Sequence, residues 1–231
     1  YLGERIGVPA RAGMRKLDLA ATLDTAGVPV VALAGTCMEA GKTAAACAMI
    51  SRMRHRGLTV DAFKATGVSL RRDILAMEDS GARRTMIFTD FGVVTTTSKN
   101  GPALTRTMLT EMATGKPDVI VFELGDGILG AYGVEAILNA PDISKALTAV
   151  VLSANDPVAA WGGVKLLRDR FGIEPAVVTG PSTDNSVGVD IIREQLGVAA
   201  FNAITNGAAL GDCVISAVGL DSVAHSRELE Q

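Results

Sequence analysis

Short apolar runs alternate with longer amphipathic stretches along nearly the whole chain, and few folds accept that pattern. Runs at 28–34, 58–64, 84–89, 118–123, 148–154 and 174–179 have strand length, and a brief one at 198–201 reads as an edge strand. Helical patterns fill 42–55, 70–79, 102–114, 157–170, 186–195 and 210–219 between them. Strands separated by helices of this length build βα units around a parallel sheet. The run Asp118-Val-Ile-Val-Phe-Glu123 is apolar on both alternating faces, as a strand covered on both sides must be. The pattern predicts one α/β domain over 28–231, a mostly parallel, doubly wound sheet between two helical layers. Residues 1–27, helical in pattern around 13–24, read as an N-terminal flanking segment or a linker from a domain ahead of Tyr1.

The first run leads into Gly35-Thr-Cys-Met-Glu-Ala-Gly41-Lys42-Thr43, and a helical pattern starts at once. A glycine loop between a strand and a helix is where phosphate binds: successive N–H groups curl around anionic oxygens at the positive end of the new helix. Gly41 lets the backbone come close, Lys42 neutralises the β- and γ-phosphates, and the Thr43 hydroxyl ligates Mg²⁺. The predicted nucleotide cradle is Gly35, Thr36, Cys37, Met38, Glu39, Ala40, Gly41, Lys42, Thr43 and Ala44, and the predicted architecture is the three-layer P-loop NTPase fold. The partner glycine stands at 35, where the common spacing places it at 36, which is Thr36.

Metal-ligating acids are sought at strand ends beside this loop. Glu123 closes the fourth run and can hold Mg²⁺ directly or through water. Asp73, Asp90 and Asp126 compete as a second ligand, with Asp73 favoured; helix-start electrostatics also accounts for Asp73, a loop cap for Asp90, and Asp-Gly turn chemistry for Asp126.

With its shifted glycine, the loop resembles that of dethiobiotin synthetase and its P-loop relatives, Gly-Thr-x-x-Glu-x-Gly-Lys-Thr, matched at Gly35, Thr36, Glu39, Gly41, Lys42 and Thr43. No earlier lysine stands in the loop, unlike that of metal-carrier and partitioning ATPases. The resemblance implies that Lys64, at the end of the second run, reaches the phosphates and the reacting group with Lys42, although Ala65 stands where the family has proline. It also implies a glutamate with a glycine-rich turn at 123; here Leu124 replaces a glycine and Asp126 is an added acid. A looser likeness, through Lys64-Ala-Thr-Gly67, Thr89-Asp-Phe91, Tyr132-Gly133 and Thr179-Gly-Pro181, extends to mostly uncharacterised relatives of that family. The activity implied is an ATP- and Mg²⁺-dependent enzyme, ligase-like or hydrolytic, that phosphorylates or activates a small carboxylate- or carbamate-bearing substrate. Relatives of this kind pair as homodimers.

Other readings stay open. A nucleotide-driven switch or ATPase controlling a partner domain uses the same loop. Gly125-x-Gly127-x-x-Gly130 satisfies the dinucleotide fingerprint of NAD-binding Rossmann proteins, but the helix that should follow at once is delayed beyond Gly133. Asp156, before Pro157, and Asp184 read as helix caps or as purine contacts, which leaves adenine or guanine open.

Composition removes several classes. Net charge is −3, with no basic surplus for nucleic acid. The longest apolar stretches are far below a membrane span. Three cysteines, Cys37, Cys47 and Cys213, lack metal or disulfide spacing and fit a reducing cytoplasm. With only His55 and His225, histidine-based hydrolysis has no support.

Overall fold

The computed structural model describes residues 4–5, 8–9 and 22–228. Two residue pairs near the start, β1 (Glu4–Arg5) and β2 (Val8–Pro9), form an antiparallel ladder. Of the helical pattern expected around 13–24, residues 13–21 lie outside the described residues and 22–24 are not helical.

The main body follows the βα alternation. In order come β3 (Val30–Gly35), α1 (Lys42–His55), β4 (Val60–Thr66), α2 (Arg71–Asp79), β5 (Arg84–Ile87), α3 (Gly101–Ala113), β6 (Val119–Leu124), α4 (Val134–Leu138) and α5 (Pro141–Ala146). There follow β7 (Ala149–Ser153), α6 (Pro157–Phe171), β8 (Val177–Thr179), α7 (Ser186–Leu196), β9 (Ala199–Ala200), α8 (Gly207–Ala217) and α9 (Asp221–Glu228). The seven strands β3–β9 form one all-parallel sheet in the order β5-β4-β6-β3-β7-β8-β9.

Period-two alternation sends each strand's side chains into two cores. Val30, Ala32 and Ala34 face a layer containing Leu104, Met108, Ile137 and Val164. Val31 and Leu33 face Met49, Ile50, Leu210 and Val214 of α1 and α8. Phe63 and Phe122, neighbours across β4 and β6, stack with ring centroids 4.9 Å apart. This is a three-layer α/β fold with the parallel sheet between two helical layers.

Departures from the expected boundaries have local causes. The third run ends at Ile87 rather than 89 because Phe88–Phe91 winds into a 3₁₀ turn, closed by Asp90 accepting from the Ile87 N–H at 3.0 Å. The strand expected from 174 starts at Val177, after Pro175, which has no ladder donor to give.

Topology creates the crevice. β3 and β6 are neighbours, yet β3 connects through α1 toward β4 on one side, and β6 connects toward β7 on the other. Loops leaving their carboxyl ends therefore diverge and open a cleft there.

Candidate nucleotide-binding site

Gly35 ends β3 with its Cα against the Lys42 side chain: a Cβ there would lie 2.8 Å from both Cδ and Nζ of Lys42. The loop then turns through left-handed residues, Glu39 at φ 59° and Gly41 at φ 91°, which curl the backbone ahead of α1. Lys42 is 6% exposed and folds back so that its Nζ donates to the Cys37 carbonyl at 2.8 Å. Burial pushes the Lys42 ammonium below the ordinary lysine value, and the negative charges of Glu123 and Asp126 oppose that shift.

One residue on, the Thr43 hydroxyl donates to Glu123 Oε2 at 2.9 Å. Glu123 is 2% exposed, at the carboxyl end of β6. Its register partner on β4 is Lys64, whose Nζ lies 3.5 Å from Glu123 Oε1 and also bonds Asp73 in the first turn of α2. Asp73, Lys64, Glu123 and Thr43 thus form one polar chain across four elements. The acids weighed as second ligands are placed differently. Asp73 is engaged by Lys64, and Asp90 caps its own turn. Asp126 lines the cleft, and its Oδ1 is buried without a hydrogen-bond partner among the described residues.

Lys42, Thr43, Lys64, Asp73, Glu123 and Asp126 share a cleft of about 570 Å³, lined on the loop side by Met38, Glu39 and Gly41–Ala44 and on the far side by Val68, Leu70, Arg72 and Ala76. Among the described residues no group of three or more His, Cys, Asp or Glu converges as a metal cage. A hydroxyl and a carboxylate at the phosphate loop instead suit Mg²⁺, which keeps waters and phosphate oxygens in its shell.

The glycines of 125–130 stand in close packing contacts. A Cβ on Gly127 would lie 2.8 Å from the Thr36 carbonyl oxygen, and the Ile128 N–H donates to the Gly35 carbonyl at 2.9 Å. The Thr66 hydroxyl bonds the Gly125 carbonyl. The first helix after this turn, α4, has five residues and begins only at Val134. The turn is therefore a buttress for the phosphate loop, and the delayed helix departs from the pattern of the dinucleotide fingerprint.

A second buttress escaped the sequence reading. Gly180, at φ 91°, brings the turn after β8 so near the loop that a Cβ would come within 2.3 Å of the Ala40 carbonyl oxygen. Thr179-Gly-Pro181 marks a turn in the sequence, but nothing there says which loop it meets. Asp156 caps α6 by accepting from the Ala159 N–H at 2.8 Å. Asn185, rather than Asp184, caps α7; Asp184 accepts from the Asn202 amide at 2.8 Å.

No protein-family model matches the chain, and no curated protein sequence does. Solved structures match by shape. Chloroplast FtsY from Physcomitrella patens superposes with a TM-score of 0.54 at 14% identity, covering 88% of this chain and 68% of that one. A duf1611 family protein from Anabaena variabilis gives 0.56 at 16% identity, covering 86% and 61%. The signal recognition particle receptor FtsY from Elizabethkingia anophelis, solved in complex with GDP, gives 0.53 at 14% identity, covering 80% and 63%. At these identities the likeness establishes the P-loop fold and does not extend to the dethiobiotin synthetase-like family. Among the described residues no helix is long and apolar enough to cross a membrane.

Proposed function

We propose that the chain is a Mg²⁺-dependent nucleotide enzyme that transfers the γ-phosphoryl group of ATP to an acceptor held in the same cleft. The observation that carries this reading is the convergence of Lys42, the Thr43–Glu123 pair and Lys64 around one opening at the switch point of the sheet. Backbone N–H groups of 36–43 bind the phosphates, and Lys42 leaves the Cys37 carbonyl to meet the β- and γ-oxygens. Thr43 and Glu123 hold the metal, which when bound draws charge from the β- and γ-phosphates. Lys64 offsets charge on the transferring group, with Asp73 holding its ammonium in place. The FtsY neighbour solved in complex with GDP supports GTP as the alternative nucleotide.

The acceptor end suits a small molecule with an aliphatic body and an anionic head. Val68, Leu70 and Ala76 supply apolar wall, and Arg72, with its side chain 80% exposed, stands at the rim. A carboxylate or carbamate, the class implied by the loop's resemblance, meets both demands. Incubation with Mg²⁺ and γ-labelled ATP beside a panel of small mono- and dicarboxylic acids tests this. Label in an acid-labile organic product is expected with at least one acid. Label in inorganic phosphate alone, whatever acid is added, rejects the acceptor and leaves the second reading, nucleotide hydrolysis that controls a partner domain, which the FtsY likeness supports.

A further inference from the structure

Of the four acids weighed as metal ligands, three are already engaged. Glu123 accepts from Thr43 and faces Lys64; Asp73 is bonded to Lys64; Asp90 closes the turn after β5. Asp126 differs. It follows Gly125 in the turn that leaves β6, lines the cleft, and keeps one buried carboxylate oxygen with no donor among the described residues. A buried acceptor without a donor is unfavourable by about 1–3 kcal/mol, so its persistence beside a reactive site points to a donor that arrives with the ligand.

The turn itself is rigidly placed. Gly127 rests on Thr36 and Cys37, Ile128 is bonded to Gly35, and Gly125 to Thr66. Asp126 is thereby fixed relative to the phosphate loop from both sides. The charged groups lining the cleft with it are Lys42, Lys64, Glu123, Glu39, Asp73 and Arg72.

We propose that Asp126 is the general base that activates a protic nucleophile, water when no acceptor fills the cleft, for attack on the γ-phosphate. This rests on the proposed function. The water O–H donates to the Asp126 carboxylate, which takes its proton. The water oxygen forms the new bond to the γ-phosphorus, and the bond from that phosphorus to the β,γ-bridging oxygen breaks. The nucleoside diphosphate leaves with that electron pair, and Asp126 returns its proton to solvent. An anionic acceptor carries no proton to remove at this step, so Asp126 governs the uncoupled reaction with water and not the attack by a carboxylate.

The test compares wild type, Asp126→Asn, Asp126→Glu and Lys42→Ala, each with ATP and with GTP. Nucleotide affinity, the Mg²⁺ concentration for half-maximal rate and phosphate release without acceptor are measured, with thermal melts to establish folding. General-base catalysis contributes about 10²–10⁴-fold. Asp126→Asn is therefore expected to bind nucleotide as wild type does, keep its Mg²⁺ requirement and release phosphate at least about 100-fold more slowly, with part of the rate restored in Asp126→Glu. Release within about threefold of wild type, or a loss repaired by raising Mg²⁺, overturns the base role. Wild type that binds nucleotide but releases no phosphate overturns it too. Nucleotide binding that is absent, or indifferent to Lys42→Ala, instead refutes the proposed function on which this inference stands.

Discussion

The Thr43 hydroxyl donates to Glu123 Oε2 at 2.9 Å, joining the first turn of α1 to the end of β6 across 80 positions of sequence. Both groups are hard oxygens at the positive end of a helix, beside a lysine that faces the loop. A divalent cation bound there would replace the hydroxyl proton as the partner of the carboxylate.

Glu123→Gln keeps the side chain's shape and its acceptance from Thr43 but removes the charge. Mg²⁺-linked nucleotide affinity is expected to fall by about 10–100-fold, with metal-free binding little altered. Calorimetric titration with and without Mg²⁺ reads both. Equal losses in the two conditions would remove Glu123 from the metal.

Lys42 gives a pH dependence with a definite sign. Its folded-state value lies below the ordinary 10.5, chiefly through burial. The unfolded chain therefore binds more protons between the lowered value and 10.5, and this group's contribution to stability rises with pH across that window. Nucleotide reverses the preference, because phosphate oxygens favour the ammonium. Affinity should fall as pH climbs toward about 10, and binding should take up protons there. Lys42→Met should flatten the pH dependence of stability across that window; a stability profile unchanged by that substitution would contradict the assignment.

Gly180 and Gly172 separate strain from collision. Both have positive φ, 91° and 65°, but a Cβ on Gly172 meets nothing within 4 Å while one on Gly180 lies 2.3 Å from the Ala40 carbonyl. Gly172→Ala should destabilise by about 1 kcal/mol without touching nucleotide binding. Gly180→Ala should destabilise more and weaken nucleotide binding as well. Urea melts and titrations on the two variants check this, and equal behaviour would dismiss the buttress.

Asp61 marks the opposite end of the sheet. It is fully buried near the start of β4 and accepts a bidentate pair from Arg83, each bond 2.9 Å. Asp61→Asn should lower stability by about 2–3 kcal/mol and leave nucleotide affinity unchanged. A loss of affinity in a variant that remains folded would show coupling that the geometry does not contain.

Much of this architecture is written in local pattern. The helix expected at 42–55 is α1 residue for residue, because Gly41 and Arg56 bound it and its apolar face repeats without interruption. Lys42, Thr43, Lys64 and Glu123 stand out because each closes a strand or opens a helix beside the glycine loop. Other features depend on which loops meet, and sequence spacing does not carry that. The Lys64–Asp73 bond needs α2 folded beside β4, so sequence spacing shows Asp73 only as an acid near the loop and not the lysine beside it. Gly125-x-Gly127-x-x-Gly130 matches a fingerprint because both uses demand close backbone approach; only the approaching partner, Thr36 and Cys37, tells them apart.

The most direct measurement is calorimetric titration of wild type and Lys42→Ala with ATP, GTP and NAD, each with and without Mg²⁺. Micromolar binding corresponds to about 8 kcal/mol, well within reach of the method. Tight, Mg²⁺-dependent binding of a nucleoside triphosphate that disappears in Lys42→Ala is the predicted result. Binding of NAD alone, unaffected by loss of the lysine, would contradict the account.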